Sequence, residues 1–127
     1  MQRKWMLALL GLLLAGACAS QPRLSGSWVG WEGGDRTLLS FRTDGSGHRL
    51  SSQGREEFRY EIDYTRDPIA IDLEPTAAAG RAGKVLGIVR FDPRGYVQVK
   101  LGRRGGPRPT AFTRDAPGLT LRPSASR

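Results

Sequence analysis

Glu57-Phe58-Arg59-Tyr60-Glu61-Ile62-Asp63-Tyr64 alternates without a break, with Phe58, Tyr60, Ile62 and Tyr64 at one parity and Glu57, Arg59, Glu61 and Asp63 at the other. Side chains of a strand point to opposite faces at a period of two, so this stretch predicts a strand with one buried and one wet face. Downstream, Ile69, Ile71 and Leu73 repeat the pattern, with Asp72 and Glu74 pointing out. Cross-strand ion pairs with Arg59 then come within reach. Moving outward, short alternating runs predict strands at 24–31, 36–43, 47–52, 55–65, 69–74, 84–92, 95–101 and 118–122. Gly33-Gly34-Asp35, Asp44-Gly45 and Asp92-Pro93-Arg94-Gly95 separate them with turn chemistry, proline presetting φ and glycine accepting a positive one. From Leu24 onward no long stretch has helical period. The fold class is therefore all-β, with antiparallel hairpins. In 84–92, Val85, Val89 and Phe91 share one face while Leu86 and Ile88 occupy the other, which predicts a strand covered on both sides. Residues 76–83 predict a mobile loop and the tail 123–127 a disordered end.

The chain has 127 residues and a net charge of +8. Its size suits one small domain. Of the 20 basic residues only Lys4, Lys84 and Lys100 are lysines, so arginine carries the charge. One cysteine excludes an internal disulfide framework, and one histidine excludes a site built on several imidazoles.

Arg3 and Lys4 precede an apolar run from Trp5 to Ala17, the charged and hydrophobic regions of a secretory signal helix. Its thirteen residues span about 20 Å as a helix against a hydrocarbon core of roughly 30 Å, which disfavours a permanent transmembrane span. Ala15-Gly16-Ala17-Cys18 resembles the lipobox of bacterial lipoproteins, with Leu14 one place upstream of that motif's preferred position. The resemblance implies cleavage before Cys18 and lipidation of its thiol, anchoring the mature chain in membrane lipid. Ala17-Cys18-Ala19 also satisfies the rule for ordinary signal cleavage, which would leave a secreted or periplasmic protein. Residue 19 is alanine rather than aspartate, which favours the outer membrane on that resemblance. The expected organisation is a signal peptide at 1–17, a lipidated tether at 18–23, a barrel domain at 24–122 and the tail. The tether residues 19–23 reach at most about 17 Å, which keeps the domain beside its leaflet.

Leu24-Ser-Gly-Ser-Trp-Val-Gly30, Phe41-Arg-Thr-Asp-Gly-Ser-Gly47, Tyr60-Glu-Ile-Asp-Tyr64, Pro68-Ile-Ala-Ile-Asp-Leu73, Gly87-Ile88, Arg108-Pro-Thr-Ala-Phe112 and Leu119-Thr-Leu-Arg122 occur in a recognisable order. That order resembles a small lipocalin-like bacterial domain family, uncharacterised and common in planctomycetes. The chain departs from the family's pattern at Val89 and in the Asp92–Gly95 turn. The resemblance implies an up-and-down, lipocalin-like β-barrel of about eight strands, with no established enzymatic activity. It also suggests that Arg122 covers the indole of Trp28 at the closed end.

The chemistries fare differently. Ser46, His48 and Asp44 form the only Ser/His/Asp grouping, but a glycine-rich hairpin is a poor scaffold for a triad, and a solvated turn is the expectation. Glu57, Glu61, Asp63, Asp72 and Glu74 fall on an outer face rather than in a cleft, as acid and base work would require. No metal or cofactor is expected, since one histidine leaves mainly carboxylates. Arg103, Arg104 and Arg108 form the densest basic cluster. Export and the lack of interleaved aromatics argue against nucleic acid, leaving anionic lipid headgroups, an acidic protein, or for Arg108 a bracing role. Inward candidates are Trp28, Leu39, Phe41, Phe58, Tyr60, Ile62, Tyr64, Ile69, Ile71, Leu73, Val89, Phe91, Val97, Val99 and Leu101, enough to fill a small barrel. Trp28, Phe41, Phe58, Tyr60 and Tyr64 would line a ligand site if the interior were hollow, the tyrosine hydroxyls needing partners. The sequence thus points to a non-catalytic envelope module, with a carrier of a small apolar or amphipathic ligand as the alternative.

Overall fold

The structure, a computed structural model, describes residues 22–76 and 83–124. The signal helix, Cys18, most of the 76–83 loop and the end of the tail lie outside the described residues. The described residues contain eight strands and no helix: β1 (Gly26–Glu32), β2 (Asp35–Phe41), β3 (Ser46–Ser51), β4 (Gly54–Asp63), β5 (Ile69–Pro75), β6 (Val85–Phe91), β7 (Val97–Leu101) and β8 (Leu119–Pro123). Each pairs antiparallel with its neighbour in sequence, and β1 pairs with β8 to close a barrel. Every predicted strand is present, with ends moved by one or two residues. At the tail, β8 runs through Pro123, and the Ser124 N–H donates to Ser27 C=O at 2.9 Å, so ordered chain continues past residue 122.

The predicted hairpins form with the expected backbone: Gly45 and Gly95 adopt φ of +91° and +94°, which side chains with a Cβ rarely tolerate. The ladders then fix the faces. Phe58 lies opposite Pro75, Tyr60 opposite Leu73 and Ile62 opposite Ile71, all on the inner face, while Arg59, Glu61 and Asp63 face out beside Glu74, Asp72 and Ala70. Leu24, Trp28, Leu39, Phe41, Phe58, Ile71, Val89, Val97, Val99 and Leu121 form one buried cluster, with Tyr60, Ile62, Ile69, Leu73, Phe91 and Leu119 packed against it. Three inward positions are glycine. A Cβ at Gly47 would stand 2.6 Å from the Phe58 ring, one at Gly30 2.7 Å from Leu121, and one at Gly87 2.6 Å from Leu101. Large side chains from facing strands occupy the space those glycines leave, so the barrel is packed by neighbours rather than widened.

β6 is covered on both sides, as its sequence predicts, and the outer cover is the β7–β8 connection. This strap is tied down by Gly102 N–H to Leu86 C=O at 2.8 Å, Gly105 N–H to Lys84 C=O at 2.9 Å, and the Lys100 ammonium to Ala111 C=O at 2.9 Å. The Arg90 guanidinium stacks 4.5 Å over the Phe112 ring. These contacts bracket Ile88, which points outward and is 1% exposed.

The seam that closes the barrel is its shortest ladder. β1 and β8 are in register only at Trp28↔Pro123 and Val29↔Arg122, against seven pairs between β1 and β2.

Candidate functional site

The two barrel ends are built differently. At the end where the chain enters, Leu24 folds in ahead of β1 and is fully buried. Its C=O accepts from the Trp28 indole N–H at 2.7 Å, and its N–H donates to the Tyr64 hydroxyl at 2.9 Å. Arg23 stacks over the Tyr64 ring at 5.0 Å. Phe41 packs edge-on against Tyr60, ring centroids 5.1 Å apart, and tilted against Phe58 at 5.7 Å. The Tyr60 hydroxyl donates to Arg42 C=O, and burial first, then Tyr64 and Asp44, raises its pKa above the ordinary tyrosine value. Both tyrosine hydroxyls therefore find protein partners, which removes the reason for expecting a ligand between them.

Arg122 does not cover Trp28. In β8 the inward residues are Leu119 and Leu121, so alternation turns Arg122 outward, opposite Val29, while Trp28 faces in. The partner of the indole is the backbone of Leu24.

At the opposite end a void of about 110 Å³ remains between Leu39, Phe41, Phe58, Ile71, Val99 and Leu119. Leu101, expected in the packed core, faces this mouth and is 43% exposed. The rim is charged: Arg49 pairs with Glu32 at 2.7 Å and Arg104 with Glu56 at 3.5 Å. The buried Thr37 hydroxyl donates to Glu32 at 3.4 Å. Of the five interior residues proposed from sequence, only Phe41 and Phe58 border the void; Trp28, Tyr60 and Tyr64 belong to the sealed end. The rim residues were missed, although Glu56 shares the parity of Phe58 and Tyr60.

The three arginines of the basic cluster separate. Arg103 is exposed and Arg104 joins the rim. Arg108 is taken up by the fold: its guanidinium donates to Ile71 C=O at 3.0 Å, Gly87 C=O at 2.9 Å and the Asp72 carboxylate at 2.7 Å. It is a brace and not a free anion contact.

The Ser/His/Asp grouping forms a turn. Asp44 accepts from the Ser46 hydroxyl at 2.7 Å and from its N–H at 3.0 Å, and these bonds lower the Asp44 pKa. The His48 Nδ1 faces Arg42 at 3.1 Å; burial first, then Arg55 and Arg42, lowers its pKa below the ordinary histidine value. The outer carboxylates are separated in the same way, Glu57 held by Arg55 at 2.6 Å and Asp63 by the N–H and hydroxyl of Thr65. Those bonds shift both carboxyls downward, the wrong direction for a general acid. Among the described residues no cluster of three His, Cys, Asp or Glu side chains is placed to hold a metal, and no helix is long and apolar enough to cross a membrane.

The fold defines a small closed antiparallel barrel with a sealed end and a charged mouth. No family model, curated protein or solved structure matches the chain.

Proposed function

We propose that the chain is a lipoprotein of the bacterial cell envelope, held by lipid on Cys18 with a lean to the outer membrane. Its barrel acts as a non-catalytic interaction module of the lipocalin-like kind that the sequence resembles. The observation that carries this reading is the filled interior: ten buried side chains form the core, and the void beside them is about 110 Å³. Sites for drug-sized ligands run from roughly 300 to 1,000 Å³, so the working surface of such a barrel is its outside. The small-residue run before Cys18 supports the anchor. Replacing Cys18 by Ser should abolish acyl labelling and membrane retention in the producing cell; unchanged retention would overturn the anchor.

The apolar wall and charged rim of the void favour a second reading, a carrier for a small apolar or amphipathic molecule. A dry cavity of roughly 150 Å³ holds benzene, which sets the scale of such a ligand. Native mass spectrometry of the protein purified gently from its own envelope separates the two. The bare mass of the processed chain supports the module, and a defined additional mass retained by the barrel supports the carrier.

A further inference from the structure

We propose that the outer wall formed by β8, β1, β2 and β3 is a docking face for an anionic phospholipid bilayer: an apolar band of Trp31, Leu38 and Leu50 bordered by Arg122 and Arg36. The ladders place these residues side by side. Arg122 lies opposite Val29, Val29 opposite Leu38, and Leu38 opposite Leu50, one outward row in which Val29 is itself buried at 6% exposure, so that Leu38 and Leu50 offer the apolar surface. Trp31 sits two residues along from Val29, opposite Arg36. Trp31 is 56% and Leu50 44% exposed, the two largest exposures among the barrel's apolar side chains.

No acid lies in the row from Arg122 to Leu50; the outer wall of β4 and β5 carries Glu57, Glu61, Asp63, Asp72 and Glu74, and Arg55, opposite Leu50, is taken by Glu57 at 2.6 Å, which bounds the band on that side. An indole with arginines at its margin suits a bilayer interface: the ring sits at headgroup level, and each arginine lays its stem on apolar surface while its guanidinium reaches a lipid phosphate. A stable protein interface takes roughly 20 to 30 residues a side, far more than this band supplies. A bilayer face needs less, because an anchor provides the rest of the affinity.

The inference rests on the anchored reading above for what brings a bilayer near. Leu24 marks where the tether meets the barrel, and Trp31 lies five residues beyond Gly26, the first residue of β1, about 17 Å along the strand. A tether of at most about 17 Å lets the barrel lie on its side with this wall against the leaflet.

The core cluster spans Leu24 to Leu121 and the barrel closes on itself, so residues 19–127 contain the whole folding unit and can be tested without the leader. Co-sedimentation is measured with vesicles of phosphatidylglycerol and phosphatidylcholine in equal parts and with phosphatidylcholine alone. The expected result is binding to the anionic vesicles only, a blue shift of Trp31 emission, and loss of both at about 0.5 M salt. Trp31→Ala or Leu50→Ser should weaken partitioning about tenfold. Arg36→Gln or Arg122→Gln should each weaken it about fivefold, from about 1 kcal/mol per basic residue at such a surface. Arg66→Gln and Arg114→Gln, exposed arginines elsewhere, are the controls and should change it less than about twofold.

Equal losses at the controls, or no binding to anionic vesicles, overturn the proposal. So does a monomer–dimer equilibrium without vesicles that Trp31→Ala abolishes, since the band would then seat a second copy. Unchanged thermal unfolding of Trp31→Ala keeps any loss attributable to the face. The two readings fail separately: a band that binds vesicles while Cys18→Ser leaves retention unchanged sinks the anchor alone, and an acylated chain whose leaderless barrel ignores vesicles sinks the face alone.

Discussion

The same eight strands end in two different ways. At the entry end Leu24 turns back into the barrel, and its two backbone groups are taken by the Trp28 indole and the Tyr64 hydroxyl, so an apolar plug closes the cylinder with its polar atoms paired. At the far end the strands stop around a void, and among the described residues its rim carries the ion pairs Arg49–Glu32 and Arg104–Glu56. Exposed ion pairs contribute between about 0 and 1 kcal/mol, whereas burying one large aliphatic side chain contributes about 1.5 to 3 kcal/mol. Stability therefore concentrates at the entry end, and the mouth is where the chain tolerates change.

The sharpest way to break that contrast is Leu24→Ala. It opens a cavity among fully buried neighbours and should cost about 2 to 4 kcal/mol, read from the urea midpoint. A loss under about 1 kcal/mol would mean that the plug is ornamental and the two ends are equivalent.

Arg108→Ala tests whether the strap adds a third stabilising region along the side of the barrel. It removes a donor from two carbonyls and a carboxylate at once and should cost about 2 kcal/mol, with Arg108→Lys recovering only part, since an ammonium does not reproduce a planar fork.

A matched pair of enlargements compares the ends directly. Val97→Ile adds a methylene at a fully buried site near the plug and should cost about 1 to 3 kcal/mol. Val85→Ile adds the same group beside the void and should leave the midpoint within about 0.5 kcal/mol. Equal costs would show that the mouth is as tightly packed as the plug.

The smallest effect is at Asp92, in the turn between β6 and β7. Hydrogen bonds from the Arg94 side chain and then its backbone N–H lower this carboxyl from 3.8 to about 2. A folded-state pKa below the unfolded one stabilises above the unfolded value, and that contribution is lost as pH falls through about 2. A carboxyl NMR titration should find its midpoint there, and Asp92→Asn should flatten the acid limb of the stability curve between pH of about 4 and 2.

What the sequence disclosed and what it withheld divide along chain separation. The strands, the hairpin glycines and the inward parity of Phe58, Tyr60 and Ile62 follow from a period of two and from local turn chemistry. The double cover of β6 was equally plain from Leu86 and Ile88. Its agent was not, because the strap has no periodicity and Arg108 finds its oxygens 36 and 37 residues upstream, at Asp72 and Ile71. The alternation makes Leu24 the start of a strand, and nothing local distinguishes a leucine that extends β1 from one that folds back beneath it. Phe41 and Phe58 were legible as interior residues. Which of the five candidates would meet empty space depended on backbone partners distant in sequence: Leu24 takes the Trp28 indole and the Tyr64 hydroxyl, Arg42 C=O takes the Tyr60 hydroxyl, and all three fall to the sealed side.

The short seam makes β8 the loosest stave of the cylinder, joined to β1 by two ladder pairs and the Ser124–Ser27 bond and to β7 by three pairs. β8 is only five residues long and ends on Pro123, which has no amide hydrogen to offer. The amides of β8 should exchange with deuterium before those of β4, and opening there exposes the unpaired edge of β1 while the rest of the sheet stays paired. The long connection that precedes β8 gives the freed strand reach. In concentrated solution that strand can complete the cylinder of a second molecule, so a strand-exchanged dimer is the misassembly this topology invites.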